Sequence, residues 1–182
     1  MHSRRLYACV VAAVLAVASV GVLIAKDSLN IRLRDDCDPA TFNATIGPGT
    51  CVGEGDTTFD DFLAEFQQTG RVEKWRFNND HADVDRGTAI TLTNRGGETH
   101  TFTRVAEFGG GFVPPLNGLP DGGQLAIAPE CAAAPGVPQP PSENNLFVPA
   151  GTTAQTPRLT KRGTVKFQCC IHPWMHSEIT VK

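Results

Sequence analysis

The sequence has no internal repeat, no basic stripe and, beyond residue 26, only one convincing helical pattern. Without a repeat, solenoids and propellers are excluded, because their units recur at a fixed period. Three of the 16 lysines and arginines (Arg4, Arg5 and Lys26) precede Asp27, so the remaining chain carries 13 against 19 acidic residues, a net charge of −6. A body of that sign lacks the footprint of a nucleic-acid binder, and nucleic acid is not expected as a partner. An acidic surface favours basic partner proteins and equally serves solubility. The scarcity of helix signals is matched by 18 Gly and 13 Pro, most of them between residues 46 and 151. They point to turns joining short strands.

Charge is also missing from residues 6–25, which follow Arg4 and Arg5 and end at Lys26. This run reads as an export signal or a membrane anchor. Twenty apolar residues are about the length that spans a bilayer. Residues 16–18 offer a small-residue cleavage pattern, yet the apolar run continues past them, so cleavage and retention both stand. The rest of the chain is expected outside the cytoplasm, in the periplasm or beyond, with anchoring through residues 6–25 as one possibility.

Residues 27–56 are polar and irregular, with turns at Pro39 and around Gly47, Pro48 and Gly49. A helix is expected over 58–68. Thr58 can cap it, Asp60 and Asp61 suit its positive end, and Phe59, Phe62, Leu63 and Phe66 recur at helical spacing before Gly70. From Arg71 onward, short alternating runs take over, at 89–94, 99–105, 146–149, 156–159, 164–169 and 178–181, which is the pattern of a β-sandwich. Residues 107–145 form a long Gly- and Pro-rich excursion, and loops of that length are often functional or disordered. The expected organisation is an export segment (1–26), an extension with a local disulfide and one helix (27–70), and an all-β domain (71–182).

The chemistry concentrates in residues 167–182, where Cys169, His172 and Met175 are spaced C-x2-H-x2-M between two strand-like runs. A thiolate, an imidazole and a thioether in one tight loop suit a soft, redox-active metal, and Cys with two His and a weak Met is the blue-copper ligand set. In the strand 164–169, Val165, Phe167 and Cys169 share one face, so Cys169 rather than Cys170 points to the core. Upstream, Asn94 and His100 stand six positions apart.

This combination resembles the cupredoxins, the small blue copper proteins, and the ligand loop is closest to the amicyanin and plastocyanin-like type. The resemblance covers roughly residues 71–182. It implies a Greek-key β-sandwich or barrel and one type 1 copper ion held by His100, Cys169, His172 and, axially, Met175, with His176 as the rival axial ligand. It also implies that Asn94 bonds across to the ligand loop, that His172 is the ligand edge nearest solvent, and that Pro173 and Trp174, with Phe112, Val113 and Leu116, form an apolar docking face for a redox partner. Three positions depart from the family pattern: Thr101 where Asn is common after the first His, Ser177 where Gly is common, and Cys170 beside the ligand Cys. If Cys169 binds copper, four cysteines remain beyond residue 26. Cys37–Cys51 is the natural local pair, and Cys131–Cys170 is then left, unless Cys170 stays a buried free thiol.

The leading functional expectation is a copper protein carrying single electrons, not an enzyme. The alternative is a copper-binding or delivery module using the same ligands. Zinc is a rival metal for Cys and His. Five histidines contain no His-x-His pair, which argues against multicopper enzymes, and adjacent cysteines do not fit a dinuclear purple centre.

Overall fold

The computed structural model describes residues 28–182. The expected export signal or anchor, 1–26, lies outside them, and among the described residues no helix is long and apolar enough to cross a membrane.

Alternating apolar and polar side chains build two sheets facing one core. In the first, β1 (Leu29–Arg34) lies between β2 (Arg76–Phe77) and β4 (Ile90–Asn94), with β9 (Thr153–Gln155) on the far side of β4. In the second the order is β3 (His81–Val84), β11 (His176–Val181), β10 (Gly163–Gln168), β5 (His100–Val105) and β8 (Asn145–Val148). Successive side chains of a strand point to opposite faces. Ile31 and Leu33 of β1 and Ile90 and Leu92 of β4 therefore turn inward together and are fully buried. From the other sheet come Phe102, Val165, Phe167, Ile179 and Val181, with the rings of Phe102 and Phe167 stacked at 4.3 Å. Burying such a side chain contributes about 1.5–3 kcal/mol. The all-β sandwich is thus as expected.

Residues 28–70 hold more structure than their polarity suggests. Arg32 and Arg34 alternate with Ile31 and Leu33, so a segment polar on average has one wholly apolar face and forms β1, paired in parallel with β4. A second, unexpected helix, α1 (Pro39–Thr45), starts at Asp38, whose carboxylate accepts from the amides of Ala40 and Thr41. Pro39 suits the first helical turn, where its missing N–H costs nothing. The expected helix is present as α2 (Phe59–Thr69), capped by Thr58 and stopped by Gly70, whose φ of 72° is left-handed. A disulfide joins Cys37 to Cys51. Phe42 of α1 packs on Phe59, Phe62 and Trp75, so the two helices close one end of the sandwich with an aromatic cluster.

The strand expected at 156–159 lies instead at β9. Proline has no N–H to donate to a ladder. Pairing with β4 therefore stops before Pro157 and resumes only as a single bridge between Thr88 and Leu159. The excursion 107–145 is ordered by a 3-10 turn (Pro114–Asn117) and a hairpin of β6 (Ala132–Ala134) and β7 (Val137–Pro138). It covers the outer face of the five-stranded sheet. There Val105, Ala128, Cys131 and Cys170 form a second small core, and a disulfide joins Cys131 to Cys170.

Candidate metal centre

Strand β10 and strand β11 pair up to Gln168 and His176, leaving residues 169–175 as the connecting loop. The Cys169 amide donates to the Met175 carbonyl and the Met175 amide to the His172 carbonyl, both at 3.0 Å, which folds the loop tightly. Cys169 continues the inward parity of Val165 and Phe167 and lies with them in the main core, whereas Cys170 faces the second core and its disulfide. His100 opens the neighbouring strand β5, on the same inward face as Phe102.

These placements bring three donors together below the surface. Cys169 Sγ is 3.9 Å from His100 Nδ1 and 4.0 Å from His172 Nδ1, and all three donor atoms lie within 4.8 Å of one another. Two imidazole nitrogens at about 2.1 Å and a thiolate at about 2.3 Å from one ion stand about 3.8 Å apart, N to S, when planar and about 3.6 Å apart when tetrahedral. The observed separations are of that size, so one ion can reach all three donors. Cys169 is the one free cysteine among the described residues and is fully buried. Met175, 1% exposed, follows in the same loop and packs in the main core. His176 is turned elsewhere: its ring stacks on Phe108 with centroids 3.9 Å apart.

Each imidazole has a carboxylate beside its second nitrogen, hydrogen-bonded at His100 and at longer range at His172. His100 Nε2 lies 2.8 Å from Asp35 Oδ2, which leaves Nδ1 facing Cys169. A carboxylate on the far nitrogen sets ring orientation and tautomer. Asp35 is itself held by the amides of Gly97 (2.8 Å) and Glu98 (3.1 Å). This needs backbone at close range: a Cβ on Gly96 would come within 1.8 Å of Asp35 Oδ2, and one on Gly97 within 2.6 Å of the Gly53 amide nitrogen. On the other side, His172 Nε2 is 3.5 Å from Glu98 Oε2, which accepts a 2.6 Å hydrogen bond from Trp75 Nε1. The thiolate side is closed by Thr101, whose amide donates to Cys169 Sγ at 3.4 Å and whose hydroxyl accepts from the Cys170 amide at 2.6 Å.

The electrostatics follow from this packing. Burial opposes an ionised Cys169, but hydrogen bonds and charge from His100 and His172 prevail and hold the thiol well below its ordinary value. Burial likewise opposes a charged His100, yet Asp35 and Cys169 push it up to about 10. Asp35 is held below the usual carboxylate range, since His100 and the loop amides outweigh its burial. Glu98 is raised, because burial outweighs its attraction to His172 and Trp75.

No protein-family model and no curated protein matches the chain. Among solved structures it is similar to a purple cupredoxin from Nitrosopumilus maritimus, at 12% identity and a TM-score of 0.42, over 85% of this chain and 100% of that one. It is also similar to an oxidised mutant of amicyanin, at 10% identity and a TM-score of 0.40 over 88% of each chain. A reduced, Cu(I) form of another amicyanin mutant aligns at 16% identity and a TM-score of 0.37, over 62% of this chain and 77% of that one.

Two expectations about the site need correction. Asn94 does not reach the ligand loop: its amide group donates to the carbonyls of Glu98 and Val148 and accepts from the Gly96 amide, so it shapes the loop before His100. The bond across to the ligand loop comes from Thr101. Nor is His172 a solvent edge. It is 2% exposed, because Phe62 of α2, Trp75 and Trp174 surround its ring at centroid distances of 6.3, 6.4 and 5.4 Å. Within the expected docking face Pro173 is buried, and Phe112 packs against the second core. Asp35, Glu98 and Trp75 were not singled out from sequence, and Thr101 was noted only as a departure from the family pattern. Only Glu98, a carboxylate two residues before His100, carried a local signal.

Proposed function

We propose that the chain is an exported type 1 copper protein that carries single electrons, with copper held by His100, Cys169 and His172 and weakly by Met175. The observation that carries this reading is the buried His–Cys–His triangle, close enough to share one ion, backed by a carboxylate on the far side of each imidazole. Bound copper supplies a one-electron Cu(II)/Cu(I) couple. The chain supplies the rest. Asp35 holds the His100 ring in register, Glu98 faces the far nitrogen of His172, and the Thr101 amide lends positive charge to the sulfur. The covering aromatics exclude water, so the donors need not rearrange when the charge at the site changes. The cupredoxin and amicyanin structures that resemble the chain accord with this reading without carrying it. Cys37–Cys51 and Cys131–Cys170 suit an oxidising compartment, in keeping with export. Delivery of copper to another protein is the weaker reading, because all three donors are buried and release would require the aromatic cover to open.

The test is the visible spectrum of the protein with Cu(II), beside a Cys169→Ser variant. An intense thiolate-to-copper charge-transfer band, lost in the variant, is expected. Tight binding of zinc with no such band would sink the proposal.

A further inference from the structure

A groove of about 740 Å³ runs beside the ligand loop. Arg32 and Arg34 of β1, Arg71 and Arg76 line it, together with Trp174 and Met175 of the loop itself. All four arginines are exposed, and they are four of only 13 basic residues in the net-acidic chain beyond residue 26. Their arrangement is unfavourable for folding alone. Arg34 and Arg76 are directly opposite partners in the antiparallel β1–β2 pair, where like charges destabilise. Arg76 donates to the Glu73 carbonyl at 3.1 Å, which places the guanidinium without neutralising it. Among the described residues, no carboxylate forms an ion pair with Arg32, Arg34 or Arg71. Of the groove's acids, Asp80 and Glu178 flank His81 at 3.5 and 3.9 Å, and Glu73 is the third.

The groove also reaches the site. Three aromatic rings cover His172; Phe62 and Trp75 are buried, and only Trp174 is partly exposed. Trp174 is pinned by hydrogen bonds from its indole nitrogen to the carbonyls of Val72 and Trp75, both at 3.2 Å, with its ring edge-on to His172.

We propose that this arginine groove docks the acidic face of a one-electron carrier protein, with Trp174 as the contact between partner and site. The inference rests on the copper reading above and names the charge of its partner. It reverses the expectation from net charge, which favoured basic partners: local complementarity, not the overall −6, steers the encounter. With copper held by His100, Cys169 and His172, one electron would leave the reduced partner, which is oxidised by one unit, and would reduce the bound Cu(II) to Cu(I). No bond breaks and no proton moves.

The test has two readouts. The metal-free protein, labelled with ¹⁵N, is titrated at low ionic strength with an octaglutamate peptide. Shifts are expected at residues 32–34, 71–76 and the Trp174 indole N–H, and binding should weaken at least tenfold in an Arg34→Glu/Arg71→Glu variant. A Lys161→Glu/Arg162→Glu variant, with the same change in charge at the far end of β10, should bind as the parent does. The copper-loaded reduced protein is then oxidised by anionic hexacyanoferrate(III) and, separately, by a cationic cobalt(III) phenanthroline complex. The groove variant should slow only the anionic reaction, by tenfold or more at low salt, with the difference fading as salt is added. Its unfolding midpoint should hold or rise, because a repulsive pair is relieved. Peptide shifts away from the groove, equal effects of the two variants, or binding of inorganic phosphate there with none of the peptide would each overturn the inference. An intact charge-transfer band with an indifferent groove variant removes this inference alone. Groove-specific peptide binding without copper uptake supports the acidic docking surface and removes the copper reading.

Discussion

Substituting Asp35 with alanine strips one carboxylate from four donors. These are His100 Nε2 at 2.8 Å and the amides of Gly97, Glu98 and Cys37 at 2.8, 3.1 and 3.3 Å. The Asp35 side chain is fully buried, so water does not replace it. A buried donor left without a partner costs about 1–3 kcal/mol. The Cys37 bond is long and local, so three donors matter. Their sum overlaps with the loss of the buried ion pair, for which removal of one partner costs about 3–5 kcal/mol. The expected destabilisation of Asp35→Ala is therefore about 4 kcal/mol, or a fall in Tm of roughly 8–16 °C for a chain of this length. Asp35→Asn keeps the shape and one acceptor oxygen, and about half that loss is expected. Because the carboxylate also fixes the His100 ring, copper affinity should drop about 10–100-fold in the alanine variant. Urea unfolding of the metal-free protein at neutral pH measures the first quantity, and competition for Cu(I) with a chelator measures the second. An alanine variant destabilised by less than about 1 kcal/mol, with unchanged copper affinity, would refute the assignment of Asp35 as the anchor of His100.

Removing the Cys37–Cys51 disulfide, which spans 14 residues, with a Cys37→Ser/Cys51→Ser variant should cost about 3 kcal/mol in thermal or urea unfolding. The same variant should loosen the Gly96–Gly97 turn against which that loop packs, seen as faster amide exchange at Gly97; parent-like exchange there would count against the coupling. Phe62→Ala should cost about 3 kcal/mol by emptying the aromatic cluster and speed the loss of copper to a chelator by thinning the cover over His172, whereas an unchanged release rate would mean that α2 does not guard the site. Asp38 is held below its ordinary value by the Thr41 hydroxyl and amide, so its contribution to α1 is present above 3.8 and fades as pH falls through its lower folded value. Acid titration followed at the Ala40 and Thr41 amides should show that loosening in the parent and not in Asp38→Asn, while identical curves would remove Asp38 from the cap.

Cys169, His172 and Met175 were legible in the sequence because they sit within one hairpin loop, where spacing alone sets proximity, and strand parity separated Cys169 from Cys170. Helix α2 was legible for a similar reason: its cap, its acidic first turn, its aromatic stripe and its stop all lie between Thr58 and Gly70. His100 needed the family resemblance, since a lone histidine in a strand has no local signature. Strand β1 was hidden by its arginines, which raise the polarity of the segment while one face stays fully apolar, and Pro157 displaced β9 from the run where alternation suggested a strand.

What the sequence by itself determined is the loop that carries Cys169, His172 and Met175 and the class of scaffold, because both depend on interactions between near neighbours along the chain. Only the tertiary structure decided how the donors are held and what reaches them. Asp35 stands 65 residues from His100, and Trp75 meets Glu98 across 23 residues. Phe62 lies over His172 from a helix in a different part of the chain. Four arginines from two strands and a turn converge on Trp174. These contacts follow from strand register and from the docking of the two helices on the sandwich, and no periodicity within a single segment encodes where two distant segments will meet.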